Sequence, residues 1–229
     1  MTQWVKTVAK CIVVSVFLCA SYTTSANASI APYQKPDALN DTYPLLYGSQ
    51  SAGSANLSAF PKWVNVMARY KAEESWMENP CLFSTQGENC KLGQWKQFID
   101  GIRNKPLKEQ VVLVNNYINQ QQYMPDSVNW HTSDYWETPA EFFEKGGDCE
   151  DYAIAKFVSL RMLGVPDSAM RVTILNDNHK RAIHAVVAIN VAGETYLLDN
   201  QIKKVVPARL VGYYKPIYSL NEERWWRHA

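Results

Sequence analysis

The chain has 229 residues, of which 47% are hydrophobic and 20% are charged, proportions that are typical of globular proteins and exclude a disordered or fibrous chain. This length predicts one domain, or at most two. The 23 Lys and Arg residues balance 22 Asp and Glu residues to a net charge of +1, so the composition gives no electrostatic reason to expect binding to nucleic acid or to an anionic membrane.

The first 28 residues have the pattern of a secretory signal peptide. Lys6 and Lys10 lead into an apolar run at 11–20, and Ala26-Asn27-Ala28 is a small-x-small cleavage signal. The run is too short to span a bilayer, and the pattern is less typical of a buried N-terminal helix or of a lipoprotein signal. We therefore expect export, cleavage after Ala28 and a mature chain without a membrane span.

Downstream of the cleavage signal, the chain divides into an arm and a domain. Residues 29–57 are rich in Ser, Ala, Asn, Pro and Gly and have few periodic apolar positions, which predicts a loosely ordered N-terminal arm. From 58 to 229 the apolar positions become periodic, and we expect one folded domain there.

Three amphipathic helices are predicted at the start of this domain. Apolar residues recur at helical spacing from Trp63 to Met77, and Pro80 ends this helix. A short helix follows at 95–102. A third helix has Pro106 at its first position and apolar residues at alternating steps of four and three.

The segment 120–137 lacks periodicity and is predicted to be a long loop, a kind of segment that is often functional. Thr138-Pro139-Ala140-Glu141 is a capping box with proline at the first helical position, which predicts a short helix that ends at Gly146-Gly147. Asp148 can then cap a second helix over 149–163.

Beyond these helices the apolar pattern changes to period two. It predicts strands at 170–175, 183–191 and 195–198, with further strands near 205–206 and 210–218. Helices followed by an antiparallel sheet indicate an α+β fold.

Cys149 opens the helix that follows Gly146-Gly147-Asp148. A helix N-terminus presents free N–H groups and the positive end of the dipole, which favour a thiolate and can hold an oxyanion. The two glycines allow a tight turn and leave access to the sulfur. The carboxylates of Asp148, Glu150 and Asp151 oppose this, because without a neutralising cation they raise the pKa of the thiol. A buried, inert cysteine is the alternative.

His184 and Asp199 could complete a catalytic group with Cys149. A histidine in an apolar strand is more often a core residue than a base, and an acid at a strand end is most often a turn residue. The hairpin that joins the two strands can place Asp199 beside the His184 ring and fix its tautomer. In the order Cys, His, Asp, the three together predict nucleophilic catalysis. His131, in the long loop, is the competing base.

The cysteine count bears on the same site. Removal of the signal peptide leaves Cys81, Cys90 and Cys149. Cys81 and Cys90 bracket a short polar loop and could close a local disulfide in an oxidising compartment. Cys149 would then be the unpaired thiol.

Four sequence blocks resemble a known family. The blocks are 135–143 (YWETPAEFF), 146–156 (GGDCEDYAIAK), 184–187 (HAVV) and 198–201 (LDNQ). They are similar to the bacterial transglutaminase-like cysteine proteinases of the LapG type, and the resemblance extends over about residues 60–218. It implies a papain-like, transglutaminase-like fold with N-terminal helices packed on an antiparallel sheet.

In this resemblance, Cys149 is the nucleophile, His184 the base and acid, and Asp199 the orienting group. The Cys149 N–H is one oxyanion donor, and the second comes from the loop before Thr138, from Tyr135 or Trp136. The substrate is expected to be an extended protein segment with small residues at the scissile bond.

The family resemblance also implies a biological role. It predicts a periplasmic, calcium-dependent endopeptidase that cleaves the N-terminal region of a large biofilm adhesin and releases it from the cell surface. It further predicts inhibition by the periplasmic domain of an inner-membrane cyclic-di-GMP receptor of the LapD type.

Calcium would resolve the charge conflict around the thiol. Ca²⁺ binds about six to eight oxygen ligands and would neutralise the nearby carboxylates. The resemblance assigns calcium to Asp148 and Glu150. We add Asp151, which can share a helical face with Asp148, and Asp134 of the long loop as a further candidate.

Other function classes remain open at this point. A transglutaminase or a cell-wall amidase could use the same triad, because the acyl-enzyme step is common to all three. Cys149, His184 and Asp199 could instead bind zinc, although the sequence offers no evident fourth ligand. A non-enzymatic binding module is the third alternative, and the intact triad argues against it.

Overall fold

The computed structural model describes residues 51–76, 81 and 90–228 of the chain. The predicted signal peptide and most of the predicted arm lie outside these residues. The described residues form helices and an antiparallel sheet, so the predicted α+β fold is confirmed. None of the helices in this part of the chain is both long and apolar enough to cross a membrane.

The described residues form six α-helices, which are α1 Pro61–Glu73, α2 Lys91–Ile102, α3 Leu107–Ile118, α4 Asp126–Asn129, α5 Pro139–Lys145 and α6 Cys149–Met162. All except α4 lie close to predicted positions; α4 falls in the segment that was predicted to be a long loop. Pro106 precedes α3 as its N-cap instead of being its first residue. The helix predicted from Trp63 to Met77 ends at Glu73 and is followed by a 3₁₀ turn, and Met77 itself lies outside the described residues.

Seven strands form one antiparallel sheet in the order β1-β7-β6-β2-β3-β4-β5, and they are β1 Ser51–Ser54, β2 Met170–Asp177, β3 Ala182–Val191, β4 Glu194–Leu198, β5 Val206–Pro207, β6 Tyr214–Leu220 and β7 Trp225–His228. β1 is a correction to the prediction, because it falls in the segment expected to be loosely ordered. It pairs with β7, and the Trp226 side chain packs so closely over Gly53 that a Cβ there would lie 2.7 Å from Trp226 Cδ1.

The central helix α6 packs against α3, α5 and β3. The middle of this helix is buried on every side, as expected for a helix inside a core. Its buried residues are Asp151, Tyr152, Ala153, Ile154, Ala155, Lys156, Phe157, Val158, Ser159 and Leu160. The Trp95 indole N–H donates to Ser159 Oγ at 2.9 Å and ties α2 to this helix. The burial of α6 therefore fixes its first residue, Cys149, against the sheet.

The β3–β4 hairpin turns at Ala192 and Gly193, which have φ angles of 53° and 86°. Two consecutive positive φ angles are typical of the tight turns that match strand twist. The register pairs Val187 with Leu198. Continued one residue past the end of β4, this register brings Asp199 to the neighbourhood of β3 where His184 lies.

A disulfide joins Cys81 to Cys90, whose Cα atoms are 5.5 Å apart, and Cys90 directly precedes α2. The loop between them lies outside the described residues. Among the cysteines that the structure describes, Cys149 has a free thiol.

Candidate active site

Close packing leaves no room for a side chain at either of the two glycines before α6. Gly146 has a φ of +79°, and a Cβ on it would lie 2.4 Å from the Gln122 carbonyl oxygen. A Cβ on Gly147 would lie 2.5 Å from Asp151 Oδ2. The Met124 N–H donates to the Gly147 carbonyl at 2.9 Å, so the segment around Gln122 lies directly against this loop. The glycines thus serve this packing, beyond the access to the sulfur that the sequence suggested.

Asp151 links three parts of the site. Its Oδ2 accepts the Asp148 N–H at 2.9 Å, and its Oδ1 accepts the Glu137 N–H at 2.8 Å. Its side chain is fully buried. Both oxygens therefore hold backbone in place, which gives this predicted metal ligand a structural role at the start of α6.

The Cys149 thiol is half-buried and lies 3.2 Å from Glu150 Oε2, to which it can donate. Burial raises the pKa of this thiol above its usual range, and the carboxylates of Glu150 and Asp148 raise it further. The Ala185 backbone N–H lowers the pKa of the thiol and lies next to His184 in β3. The charge conflict expected from the sequence is therefore present in the folded chain.

His184 and Asp199 form a buried pair. His184 Nε2 lies 2.9 Å from Asp199 Oδ1, which also accepts the Gln201 N–H at 2.7 Å. Tyr214 donates its hydroxyl to Asp199 Oδ2 at 2.7 Å. Burial by itself would raise the pKa of Asp199, but the hydrogen bonds from His184, Gln201 and Tyr214 outweigh it and hold this pKa below its ordinary value.

The second nitrogen of His184 also has a partner. Gln201 Nε2 lies 3.1 Å from His184 Nδ1. Sequence analysis did not identify Gln201 or Tyr214. The hairpin register could have indicated Gln201, because its continuation places that residue opposite His184, whereas Tyr214 lay in a predicted strand with no further signal.

Six carboxylates surround the start of α6, and one of them, Asp148, groups with Cys149 and Glu150. Asp126, Asp134 and Glu150 have ligand oxygens within 4.8 Å of one another, and so do Asp126, Glu137 and Asp151. The structure thus brings the predicted acids of this region together and adds Asp126 and Glu137. Sequence analysis missed both because the segment 120–137 was predicted to be a loop without periodicity, whereas Asp126 begins the short helix α4.

A family model for the bacterial transglutaminase-like cysteine proteinases matches residues 81–228, which include Cys149, His184 and Asp199. The chain belongs to this family. The proteinase therefore has the predicted fold family as well as the predicted fold class.

Solved structures of the LapG protein of Legionella pneumophila resemble this proteinase. One has 32% sequence identity and a TM-score of 0.57, over 71% of this chain and 87% of that chain. An EGTA-treated form gives the same identity and TM-score over 71% and 84% of the chains. A calcium-bound form has 31% identity and a TM-score of 0.58 over 69% and 87%. A search of curated protein sequences gave no match.

The acids of the proteinase fit a calcium ion chemically. Three buried carboxylate oxygens of this cluster have no hydrogen-bond partner within the described ranges, namely Asp126 Oδ1, Glu137 Oε2 and Asp148 Oδ1. Burial, together with neighbouring carboxylates, raises the pKa of Asp148 to about 8 and that of Glu137 to about 7. Such a set of hard, unpartnered oxygens is the donor chemistry that Ca²⁺ prefers.

Asp134 is the most exposed member of the cluster. Its carboxylate pairs with Lys62, and its Oδ1 accepts the Trp136 indole N–H at 3.0 Å. Its role as a calcium ligand therefore stays a prediction, because calcium would have to compete with Lys62 for this carboxylate.

The zinc alternative has no support in the geometry of the proteinase. Both His184 nitrogens have other partners. The clusters of possible metal ligands found in the described residues do not combine Cys149 with His184 or Asp199. His131, the competing base, is an exposed residue with a φ of 56°.

The candidates for the second oxyanion donor differ in availability. The Tyr135 N–H donates to Asp126 Oδ2. The Trp136 carbonyl accepts a hydrogen bond from Arg69, which anchors that part of the backbone. Because the Tyr135 N–H is already engaged, Trp136 is the better of the two predicted donors.

Proposed function

We propose that the chain is a cysteine endopeptidase in which Cys149 is the nucleophile, His184 the base and acid, and Asp199 the orienting group. The observation that carries this proposal is the buried His184–Asp199 pair. It directs the remaining imidazole nitrogen, Nδ1, away from Asp199, while the Cys149 thiol lies against the next residue of the same strand, Ala185.

In the proposed reaction, Nδ1 of His184 takes the thiol proton and Cys149 Sγ attacks the scissile carbonyl carbon. The Cys149 N–H and the Trp136 N–H donate to the resulting oxyanion. Nδ1 then protonates the leaving amine, and a water that it deprotonates hydrolyses the acyl-enzyme. Asp199 stabilises the imidazolium through Nε2.

We also propose a calcium site formed by Asp148 and Glu150 together with Asp126 and Glu137, with Asp134 and Asp151 at its margin. A bound Ca²⁺ supplies positive charge that offsets the repulsion among these carboxylates. Glu150 accepts the thiol hydrogen bond in this structure. It therefore belongs both to the proposed metal site and to the surroundings of the nucleophile.

The proposed substrate is the N-terminal region of a large biofilm adhesin, which the enzyme would cut in the periplasm and so release from the cell surface. The proposed inhibitor is the periplasmic domain of an inner-membrane cyclic-di-GMP receptor of the LapD type. Membership of the proteinase family and similarity to LapG support these assignments. The signal-peptide pattern of the first 28 residues supports the location.

The decisive experiment incubates the purified protein and its Cys149→Ala variant with the N-terminal region of the host's large repeat adhesin in the presence of Ca²⁺. We expect the wild type to give one new N-terminus, identified by sequencing, and Cys149→Ala to give none while it keeps the fold and binds the receptor domain. Cleavage by Cys149→Ala would refute the assignment of the nucleophile.

The same preparation tests the transglutaminase and amidase alternatives. Iodoacetamide labelling followed by mass spectrometry shows whether Cys149 reacts rapidly. Rapid labelling without cleavage of the adhesin would favour one of these two reactions. A thiol that labels slowly would favour a non-enzymatic module.

A further inference from the structure

Gln201 contacts both members of the buried His184–Asp199 pair. Its backbone N–H donates to Asp199 Oδ1 at 2.7 Å, and its side-chain Nε2 lies 3.1 Å from His184 Nδ1. The residue itself is exposed, although His184 and Asp199 are buried. Its backbone is therefore fixed by the site, while its amide can exchange His184 for water or for another acceptor.

The direction of this hydrogen bond follows from the other partner of the imidazole. Asp199 is an acceptor at Oδ1, so in the neutral ring the proton lies on Nε2 and Nδ1 has a lone pair. Only the NH₂ group of Gln201 can donate to that lone pair. The amide oxygen in the same place would repel it. Gln201 therefore stabilises the neutral tautomer with the proton on Nε2.

The same lone pair must receive the thiol proton in the proposed reaction. In this structure it is occupied by Gln201, and the Cys149 thiol is directed to Glu150. The two reacting groups are therefore each engaged by another side chain. The bond between Gln201 and Nδ1 exists before the reaction and has to break for it, so by transition-state reasoning it slows the chemical step.

We propose that Gln201 is a positioning residue that holds His184 Nδ1 in the free enzyme and is displaced from it when a peptide substrate enters. This inference rests on the proposed role of His184 as the base. It assigns no contact between Gln201 and the substrate. Gln201 acts through His184, whose ring it keeps oriented between turnovers.

Two variants of nearly equal size separate this role from a purely structural one. Gln201→Met keeps the length of the side chain but removes the donor, whereas Gln201→Glu replaces the donor with an acceptor. Lys203→Met, at an exposed position in the same loop, is the matched control. A residue that only supports the loop would lower activity in both Gln201 variants.

The first measurement is ¹⁵N NMR of histidine-labelled protein at one fixed pH, with the His184 signals assigned by their loss in His184→Ala. We expect the Nδ1 resonance to move in Gln201→Met. It should also move when the adhesin fragment binds to the inactive Cys149→Ala variant. In Gln201→Glu we expect protons on both nitrogens. An Nδ1 resonance that is unchanged in Gln201→Met, or unchanged on binding of the fragment, overturns the proposal.

The second measurement is the steady-state cleavage rate. Because one neutral hydrogen bond no longer has to break, we expect kcat/KM of Gln201→Met to rise about threefold to fivefold. We expect Gln201→Glu to lose about tenfold or more, and Lys203→Met to match the wild type. A fall in kcat/KM of Gln201→Met overturns the inference alone, since wild-type cleavage would still support the proposed function. If the wild type cuts no adhesin, the proposed function fails and the NMR result still decides whether Gln201 holds Nδ1.

Discussion

At the scale of single residues, Asp199 Oδ2 accepts a hydrogen bond from the Tyr214 hydroxyl at 2.7 Å. Tyr214→Phe would leave that oxygen of a buried carboxylate without its donor. We expect a loss of about 1–3 kcal/mol in the free energy of unfolding and a fall of about tenfold in kcat/KM. Urea unfolding and cleavage assays measure these two effects.

The neighbouring tyrosine supplies the control. Tyr213 stacks on His179, with ring centroids 3.8 Å apart, and does not share the Asp199 contact. Tyr213→Phe should leave both quantities near their wild-type values. Equal effects of the two substitutions would show that loss of the hydrogen bond to Asp199 does not cause the falls in stability and in kcat/KM.

Lys156 is a buried cation in the middle of α6. Its Nζ has no hydrogen-bond partner in the part of the chain that the structure describes, and it lies 5.7 Å from the Tyr152 ring centroid. Burial lowers its pKa to about 7, although the charge of Asp199 acts in the opposite direction. The unfolded chain binds this proton up to about pH 10. Between about pH 7 and pH 10 the unfolded state therefore binds more protons, and this lysine makes stability rise with pH.

Lys156→Met should remove that dependence. We expect the variant to be more stable than the wild type by about 3 kcal/mol at pH 7, with the difference shrinking toward pH 10. Urea unfolding at several pH values measures it, and Lys215→Met at an exposed position of β6 is the control. A constant difference at every pH would contradict the assignment to this ammonium group.

At the scale of elements, the loop before α6 depends on the absence of a side chain at Gly147. A Cβ there would lie 2.5 Å from Oδ2 and 2.7 Å from Cβ of Asp151. Gly147→Ala should displace the carboxylate that holds the Asp148 and Glu137 N–H groups. We expect a loss of about 2–4 kcal/mol in stability, at the upper end of ordinary substitutions, and loss of cleavage.

Gly212 is the comparison position for that substitution, because a Cβ there meets no atom within 4 Å and its φ is not positive. Gly212→Ala should therefore leave thermal unfolding and cleavage nearly unchanged. If the two alanine variants behave alike, close packing at Gly147 does not govern the loop.

Bound calcium would join the loop between α3 and α5 to the start of α6. At free Ca²⁺ about a hundredfold above Kd, binding to the folded state alone adds about 2.7 kcal/mol to stability. We expect exhaustive chelation to lower Tm and abolish cleavage, and re-addition of Ca²⁺ to restore both. Calorimetry and the cleavage assay report these changes.

Variants at the acids locate the ion. Asp148→Ala combined with Glu150→Ala should remove the calcium-dependent rise in Tm, and Asp126→Asn should weaken it. Asp100→Asn, at an ion-paired surface acid of α2, should keep it. Full activity of the metal-stripped wild type, or of the double variant, would refute the proposed site.

Periodicity predicted α1–α3 and β2–β4 to within a few residues, because each buries one face or a whole segment. Capping residues and glycines predicted α5 and α6. Sequence analysis missed β1, β7 and α4, which are short and owe their form to partners distant in sequence, as Trp226 over Gly53 illustrates. For the site, the motif around Cys149 and the strand positions identified the three proposed catalytic residues. The partners of those residues depend on strand register and loop path, which the sequence pattern does not specify.

At the scale of the whole described fold, core and site share one element. The body of α6 is the centre of the hydrophobic core, its first residue is Cys149, and it packs on the strand that bears His184. The hairpin turn at Gly193 then carries the chain back toward Asp199. Changes in the core are therefore expected to shift the proposed catalytic residues relative to one another.

The two outer strands of the sheet have a consequence for how a peptide can be recognised. β1 has four residues, and β5 consists of Val206 and Pro207, of which the proline cannot donate a main-chain hydrogen bond. Such short edges discourage the addition of a further strand, whether from another copy or from an extended polypeptide. For the sheet formed by the described residues, we therefore expect a peptide substrate to be held by side-chain contacts and not as an added strand.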